Sequence, residues 1–158
     1  MNTNYAGFGQ RLIAVIIDVI IIGVVQSFVF VPILAAVGFG FASGAENMDL
    51  SDPDQAAGLV GTIMAAAGGA WLLATVIQVL YFTFMESSKM QATVGKLALG
   101  LKVTDLEGNK LDFTKALIRN LSRIISGMIM LIGYIIAAFT EKKQALHDII
   151  AGTLVLKK

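Results

Sequence analysis

Asp18 is the residue best placed to do chemistry in this sequence. It is the only charge in an apolar run from Leu12 to about Phe41. An ionisable group inside such a run is costly and faces a partner or a wet cavity. Arg11 precedes it by seven residues and Gln26 follows by eight, so all three lie near one helical face. Arg11 and Asp18 are separated by about 10 Å along a helix axis. A direct pair is therefore strained, and Arg119, Arg123 and Lys96 are the candidate partners from elsewhere in the chain. In the second apolar run, Thr75, Gln78, Phe82 and Glu86 share one helical face. If the two helices face each other, Asp18, Gln26, Thr75 and Gln78 offer the oxygen ligands that a hard cation prefers. Glu86 ends its run and reads as a snorkelling interface anchor, or as part of that ion or proton site.

Near the C-terminus, Asp148 in Leu146-His147-Asp148 is placed to cap the apolar run after it or to pair with a buried arginine. His147 reads as a structural residue. The chain has one histidine and no cysteine. Multi-histidine and thiolate metal sites and thiol nucleophiles are excluded, and no serine–histidine–aspartate spacing occurs. Gly95-Lys96 lacks the preceding glycine and the following Ser/Thr of a phosphate loop. The acidic loop Glu46, Asp49, Asp52, Asp54 lacks calcium-loop spacing. No enzyme, cofactor, metal site or nucleic-acid partner is expected.

The elements that must position these residues are membrane helices. Of 158 residues, 56% are hydrophobic and 15% charged, far from the balance of a soluble domain. Mean hydropathy is +0.78. The spacing predicts helix 1 over about 12–41, an external acidic loop over 42–55 and helix 2 over about 56–85. A signal peptide fits poorly, because the first run is too long and carries an acid. Asp52 and Pro53 suit the start of helix 2. Gly61, Ala65 and Gly69 form a small-xxx-small stripe, read first as packing within one chain and otherwise as a dimer face. A basic segment over 87–116 follows. A third membrane segment over about 117–140 is either a single span or re-entrant.

Segment 87–123 carries Lys89, Lys96, Lys102, Lys110, Lys115, Arg119 and Arg123, and loop 42–55 carries only acids. The positive-inside rule puts the former, and with it the N-terminus, in the cytoplasm. Lys142, Lys143, Lys157 and Lys158 draw the tail there too, whereas three full crossings would place it outside. Leu101–Thr104 and Lys110–Phe113 flank a Gly-containing turn and read as a β-hairpin. Thr153–Leu156 is a further β-prone run that pairs with it only if the C-terminus is cytoplasmic. Thr93–Leu99 suits a short interfacial helix. The fold class is thus an all-α integral membrane protein, a small helical bundle with a short cytoplasmic β-hairpin, forming one domain over 1–158.

These residues, taken together and in order, resemble the RDD family of small bacterial membrane proteins, named for an Arg and two Asp. Arg11, Ala14 and Asp18 match its first-helix pattern. Thr93-Val94-Gly95-Lys96 matches its Thr-x-Gly-Lys element, and Leu99–Val103, Asp105 and Gly108 match the stretch that follows. Ala116–Asn120 matches the later Arg motif. Gln144–Asp148 with Ala151-Gly152-Thr153, inside 144–156, matches the closing motif. Gln91 departs from the family, which often has glycine there.

The resemblance implies a bacterial inner-membrane, multi-pass protein whose charge network is Arg11, Asp18, Asp148 and Arg119. Most members have no established function, and some are described as exchangers of Na⁺, Li⁺ or K⁺ for H⁺. Two readings follow. One is a non-enzymatic structural or regulatory module of a membrane assembly. The other is a cation/proton antiporter acting through Asp18 as a homo-oligomer. The expected partners are the lipid bilayer, anionic headgroups attracted to the basic segment, and a second copy or another membrane protein.

Overall fold

The structure, a computed structural model, describes residues 4–45, 48–128 and 132–158. Two long helices dominate it. α1 spans Phe8–Ala45 and α2 spans Pro53–Ser87. Both are long and apolar enough to cross a membrane by length and composition. Pro32 lies inside α1. Asp52 starts α2 as its type and position suggest, its carboxylate accepting the Asp54 N–H at 2.9 Å. After α2 come α3 (Val94–Ala98), β1 (Leu101–Asp105), α4 (Phe113–Met128), α5 (Ile132–Phe139), α6 (Leu146–Ala151) and β2 (Thr153–Lys157).

The chain divides into two units. The first takes the chain up to Ile21 and Gln78–Lys158; the second is Ile22–Ile77. In the second unit the Gln26 amide donates to the Ala74 carbonyl at 3.0 Å. Gly61, Ala65 and Gly69 are exposed, and a Cβ on either glycine would meet nothing. Within the second unit, the described residues do not pack against this stripe as expected.

In the first unit, β1 pairs antiparallel with β2, in register from Leu101↔Lys157 to Asp105↔Thr153. The far edge of β2 takes the N-terminal chain: Ala6 N–H donates to Val155 O and Lys157 N–H to Asn4 O, both at 2.9 Å. Ala6, Ala14, Leu101, Val103, Leu111, Ala116 and Val155 form the apolar core beside this sheet. The expected hairpin partner, 110–113, is not a strand. The turn forms, with Asp105 accepting the Glu107 and Asn109 N–H groups. Asp112 then ends the extended chain: its carboxylate accepts the Lys115 N–H at 2.6 Å and starts α4. The β-prone C-terminal run fills the vacant edge.

The third apolar segment is two helices. Gly133 of α5 lies against Ser126 of α4, and a Cβ there would stand 2.8 Å from the Ser126 Cα. One continuous helix would hold these residues about 10 Å apart, so α5 folds back on α4.

Polarity in the first unit is inverted relative to a soluble protein. On α4, Arg119, Asn120, Ser122 and Ser126 are buried while Ile118, Leu121 and Ile125 are exposed. On α6, His147 and Asp148 are buried while Ile149 and Ile150 are exposed. α1 and α2 follow the same rule, hiding Asp18 and Glu86 and exposing Ile13, Ile16, Leu80 and Phe84. Water outside such a surface would leave a large apolar area wet.

Candidate functional site

Three elements of the first unit, α1, α3 and α4, deliver cations to two buried carboxylates held by α2 and α6. Asp148 of α6 receives Arg119 of α4, through Nη2 at 2.7 Å and Nε at 2.9 Å. Arg11 of α1 reaches the other carboxylate oxygen through Nη1. That same oxygen accepts the Ala145 N–H at 3.1 Å, so Asp148 both pairs and caps, as its position before an apolar run allows. Glu86, in the last turn of α2, receives Arg119 Nη1 at 2.5 Å, Lys96 Nζ of α3 at 2.6 Å and the Asn120 amide at 3.1 Å. Arg119 is thus the hub joining both carboxylates. Its planar fork suits two acceptors at once.

Glu86 and Asp148 are fully buried, and Arg119 and Lys96 nearly so. Glu86 is therefore not a snorkelling anchor: its cations lie inside the fold. Removing one partner of such a pair costs about 3–5 kcal/mol, because the other charge stays buried. Arg11, Lys96 and Arg119 outnumber the two carboxylates by one. Arg123 adds a further guanidinium, 4.0 Å above the Phe82 ring, and Lys96 lies 5.5 Å from that ring.

The electrostatics follow from this crowding. Burial alone would raise the Asp148 carboxyl, but Arg119 and the other cations around it hold it well below the usual range. Burial pulls Lys96 down to about 8; Glu86 opposes this, and Arg119 and Arg123 reinforce it. Burial takes His147 down to about 3 despite the neighbouring Asp148. Its ring stacks beside Tyr134, centroids 5.2 Å apart, with Nδ1 3.4 Å from the Ser126 hydroxyl. His147 is a neutral structural residue here.

Asp18 is not part of that network. Its three donors carry no charge: Thr93 Oγ1 at 2.5 Å, the Gly95 N–H at 2.8 Å and the Tyr81 hydroxyl at 3.1 Å. Tyr81 in turn accepts the Val94 N–H at 3.2 Å. Among the described residues no cation pairs with Asp18, so Arg119, Arg123 and Lys96 are not its partners. Gly95 makes the arrangement feasible, because a Cβ there would stand 2.1 Å from the Ala14 carbonyl oxygen. The Thr93-Gly95-Lys96 element is thereby a clamp. Thr93 and Gly95 grip α1 through Asp18, and Lys96 grips α2 through Glu86.

Gln26 and Thr75 belong to the second unit, and the Thr75 hydroxyl donates to Trp71 O of its own helix. Gln78 is exposed. Sequence reasoning missed Tyr81, which carries no spacing signal, and left Asn120 without a role although it adjoins Arg119. Gln91 adopts φ 52, in the left-handed region that favours glycine, which explains the glycine often found there. Its backbone oxygen and side-chain amide bind the Val103 N–H and C=O.

Comparison with known proteins points the same way. A sequence model described as the RDD family matches residues 5–152. Uncharacterized protein YxaI of Bacillus subtilis (strain 168) is 39% identical over 153 residues, which cover 97% of each chain. Uncharacterized membrane protein YteJ of the same organism is 26% identical over 154 residues, covering 96% of this chain and 80% of that protein. No solved structure matches.

Proposed function

We propose a function from the premise that this chain belongs to the RDD family: it is a non-enzymatic, structural or regulatory module of a bacterial membrane assembly. α1 and α2 cross the bilayer, and the family's charged residues lock the helix ends together. One observation carries this reading. The two buried carboxylates of the network are closed by arginine, lysine, asparagine and backbone donors of the chain itself. A transport site needs a carboxylate that exchanges partners; these are held by guanidinium groups that do not deprotonate.

The inverted polarity of the first unit supports the membrane setting, as does the similarity to YteJ, which is named a membrane protein. The sheet bears on topology. Pairing of β1 with β2 and of β2 with the N-terminal chain brings both ends of the chain to one side. The basic segment lies on that side, so the positive-inside rule makes it cytoplasmic. Two crossings satisfy this arrangement. Lys102, Lys110, Lys157 and Lys158 then face anionic headgroups.

A second reading, a cation/proton antiporter acting through Asp18 as a homo-oligomer, is favoured by one feature: Asp18 is buried, and among the described residues only neutral donors reach it. Folded yield and melting of Asp18→Asn in detergent separate the two. The structural reading expects lower yield and earlier melting, because the amide places a donor against Thr93 or Gly95. Normal yield, assembly and melting would contradict it.

A further inference from the structure

We infer that α4, α5 and α6 form a re-entrant wedge whose exposed face packs against acyl chains of the cytoplasmic leaflet, without crossing the bilayer. The inference rests on the membrane reading above and adds a lipid-facing surface to it. The first observation is topological. Asp105 at the end of β1 pairs with Thr153 at the start of β2. Residues 106–152 therefore leave one point of the sheet and return to it, so they cross the bilayer an even number of times. Two crossings do not fit. The 8 residues of α5 rise about 12 Å and the 16 of α4 about 24 Å, against a hydrocarbon core of about 30 Å.

The second observation is the surface. Ile118, Leu121, Ile125, Ile135, Ile149 and Ile150 are each roughly half exposed, while Arg119, Asn120, Ser122 and Ser126 of α4 and His147 and Asp148 of α6 are buried. A helix is built this way round when lipid, not water, lies outside it. The third is charge. Lys115 in the first turn of α4, and Lys142 and Lys143 after α5, stand where the wedge would meet the headgroups. Acyl chains match this combination of an apolar face with a basic margin. The exposed apolar surface of α1 and α2 belongs to the same environment.

The chain has no native cysteine, so single-cysteine variants carry nitroxide labels without further change. Ile125→Cys and Ile150→Cys report the wedge, Ile20→Cys reports α1, and Lys110→Cys and Asp49→Cys report the two aqueous sides. All are exposed positions, and native-like melting of each labelled protein in lipid vesicles is the entry condition. Labels at 125 and 150 should be relaxed by oxygen and lost to a water-soluble nickel chelate. Impermeant maleimide should reach Lys110→Cys and Asp49→Cys from opposite faces, and Lys158→Cys from the same face as Lys110→Cys. Chelate access at 125 and 150 with Ile20 still protected would overturn the wedge alone. Chelate access at all three would overturn the membrane reading itself. Spin–spin broadening at 125 or 150 would show a second copy covering the face and would also overturn the proposal. So would labelling of 110 and 158 from opposite faces.

Discussion

Gly95→Ala tests the clamp with the smallest possible change, one methyl group. The new Cβ would stand 2.1 Å from the Ala14 carbonyl oxygen and 3.0 Å from the Asp18 Cγ. Tolerated C···O contacts lie at about 3.3 Å or more, so α3 must retreat from α1 by about 1 Å. The Gly95 N–H to Asp18 bond, now 2.8 Å, would then pass the hydrogen-bond limit, and the Thr93 bond at 2.5 Å would stretch with it. Each hydrogen bond to a buried carboxylate contributes about 1.5–3 kcal/mol. Their joint loss, less some relaxation, destabilises by about 3 kcal/mol or more. Lys96 is the next residue, so its pair with Glu86 is strained as well. The assay is thermal unfolding in nanodiscs, with Gly68→Ala as control because a Cβ there meets nothing. Gly95→Ala should melt well below the native chain and the control should not. Equal melting of all three would refute the close approach and the clamp built on it.

The charge network predicts an asymmetry. Glu86→Gln should destabilise by about 3–5 kcal/mol, because Arg119 and Lys96 lose their shared anion. Lys96→Met should cost clearly less, since Glu86 keeps Arg119 and Asn120; equal melting losses would contradict the hub. Asp148→Asn should cost as much as Glu86→Gln and lower the folded yield, because Arg11 and Arg119 both lose a partner and α6 loses part of its cap. The pH response follows from His147, whose folded value of about 3 lies below its ordinary 6.5. Between these values the unfolded chain binds the extra proton, so stability is full above pH 6.5 and falls as pH drops, by up to about 1.4 kcal/mol per pH unit. Melting from pH 7 to 5, above the carboxylate range, should show that slope in the native chain and lose it in His147→Gln.

Much of the frame was legible from local rules. The long apolar runs, the Asp52-Pro53 start of α2 and a cap or an arginine pair at Asp148 follow from helix length, capping and the cost of a buried charge; that Asp148 does both is seen only in the fold. The strand 101–105 was legible, but its partner was not. The Asp105–Asn109 turn carries hairpin chemistry, and only the capping by Asp112 reveals that helix replaces the return strand. Glu86 reads as an interface anchor from its place at the end of an apolar run, because the cations that hold it arrive 10 and 33 residues later. Asp18 drew the expectation of an arginine or lysine partner because spacing locates charges more readily than backbone N–H groups. What holds it is a backbone amide exposed by a glycine, together with two hydroxyls. Side-chain polarity alone did not order the residues of the two long helices into one site: Gln26 and Thr75 find partners in their own unit.

The most direct test of the structural reading is sodium-driven proton flux in sealed proteoliposomes, repeated with lithium and potassium across several pH values. Asp18→Asn, reconstituted to the same level and verified as folded, is the control. The expected result is no flux above empty vesicles for either protein. Flux through the native chain that vanishes in folded Asp18→Asn would contradict the structural reading and place an exchange site at Asp18.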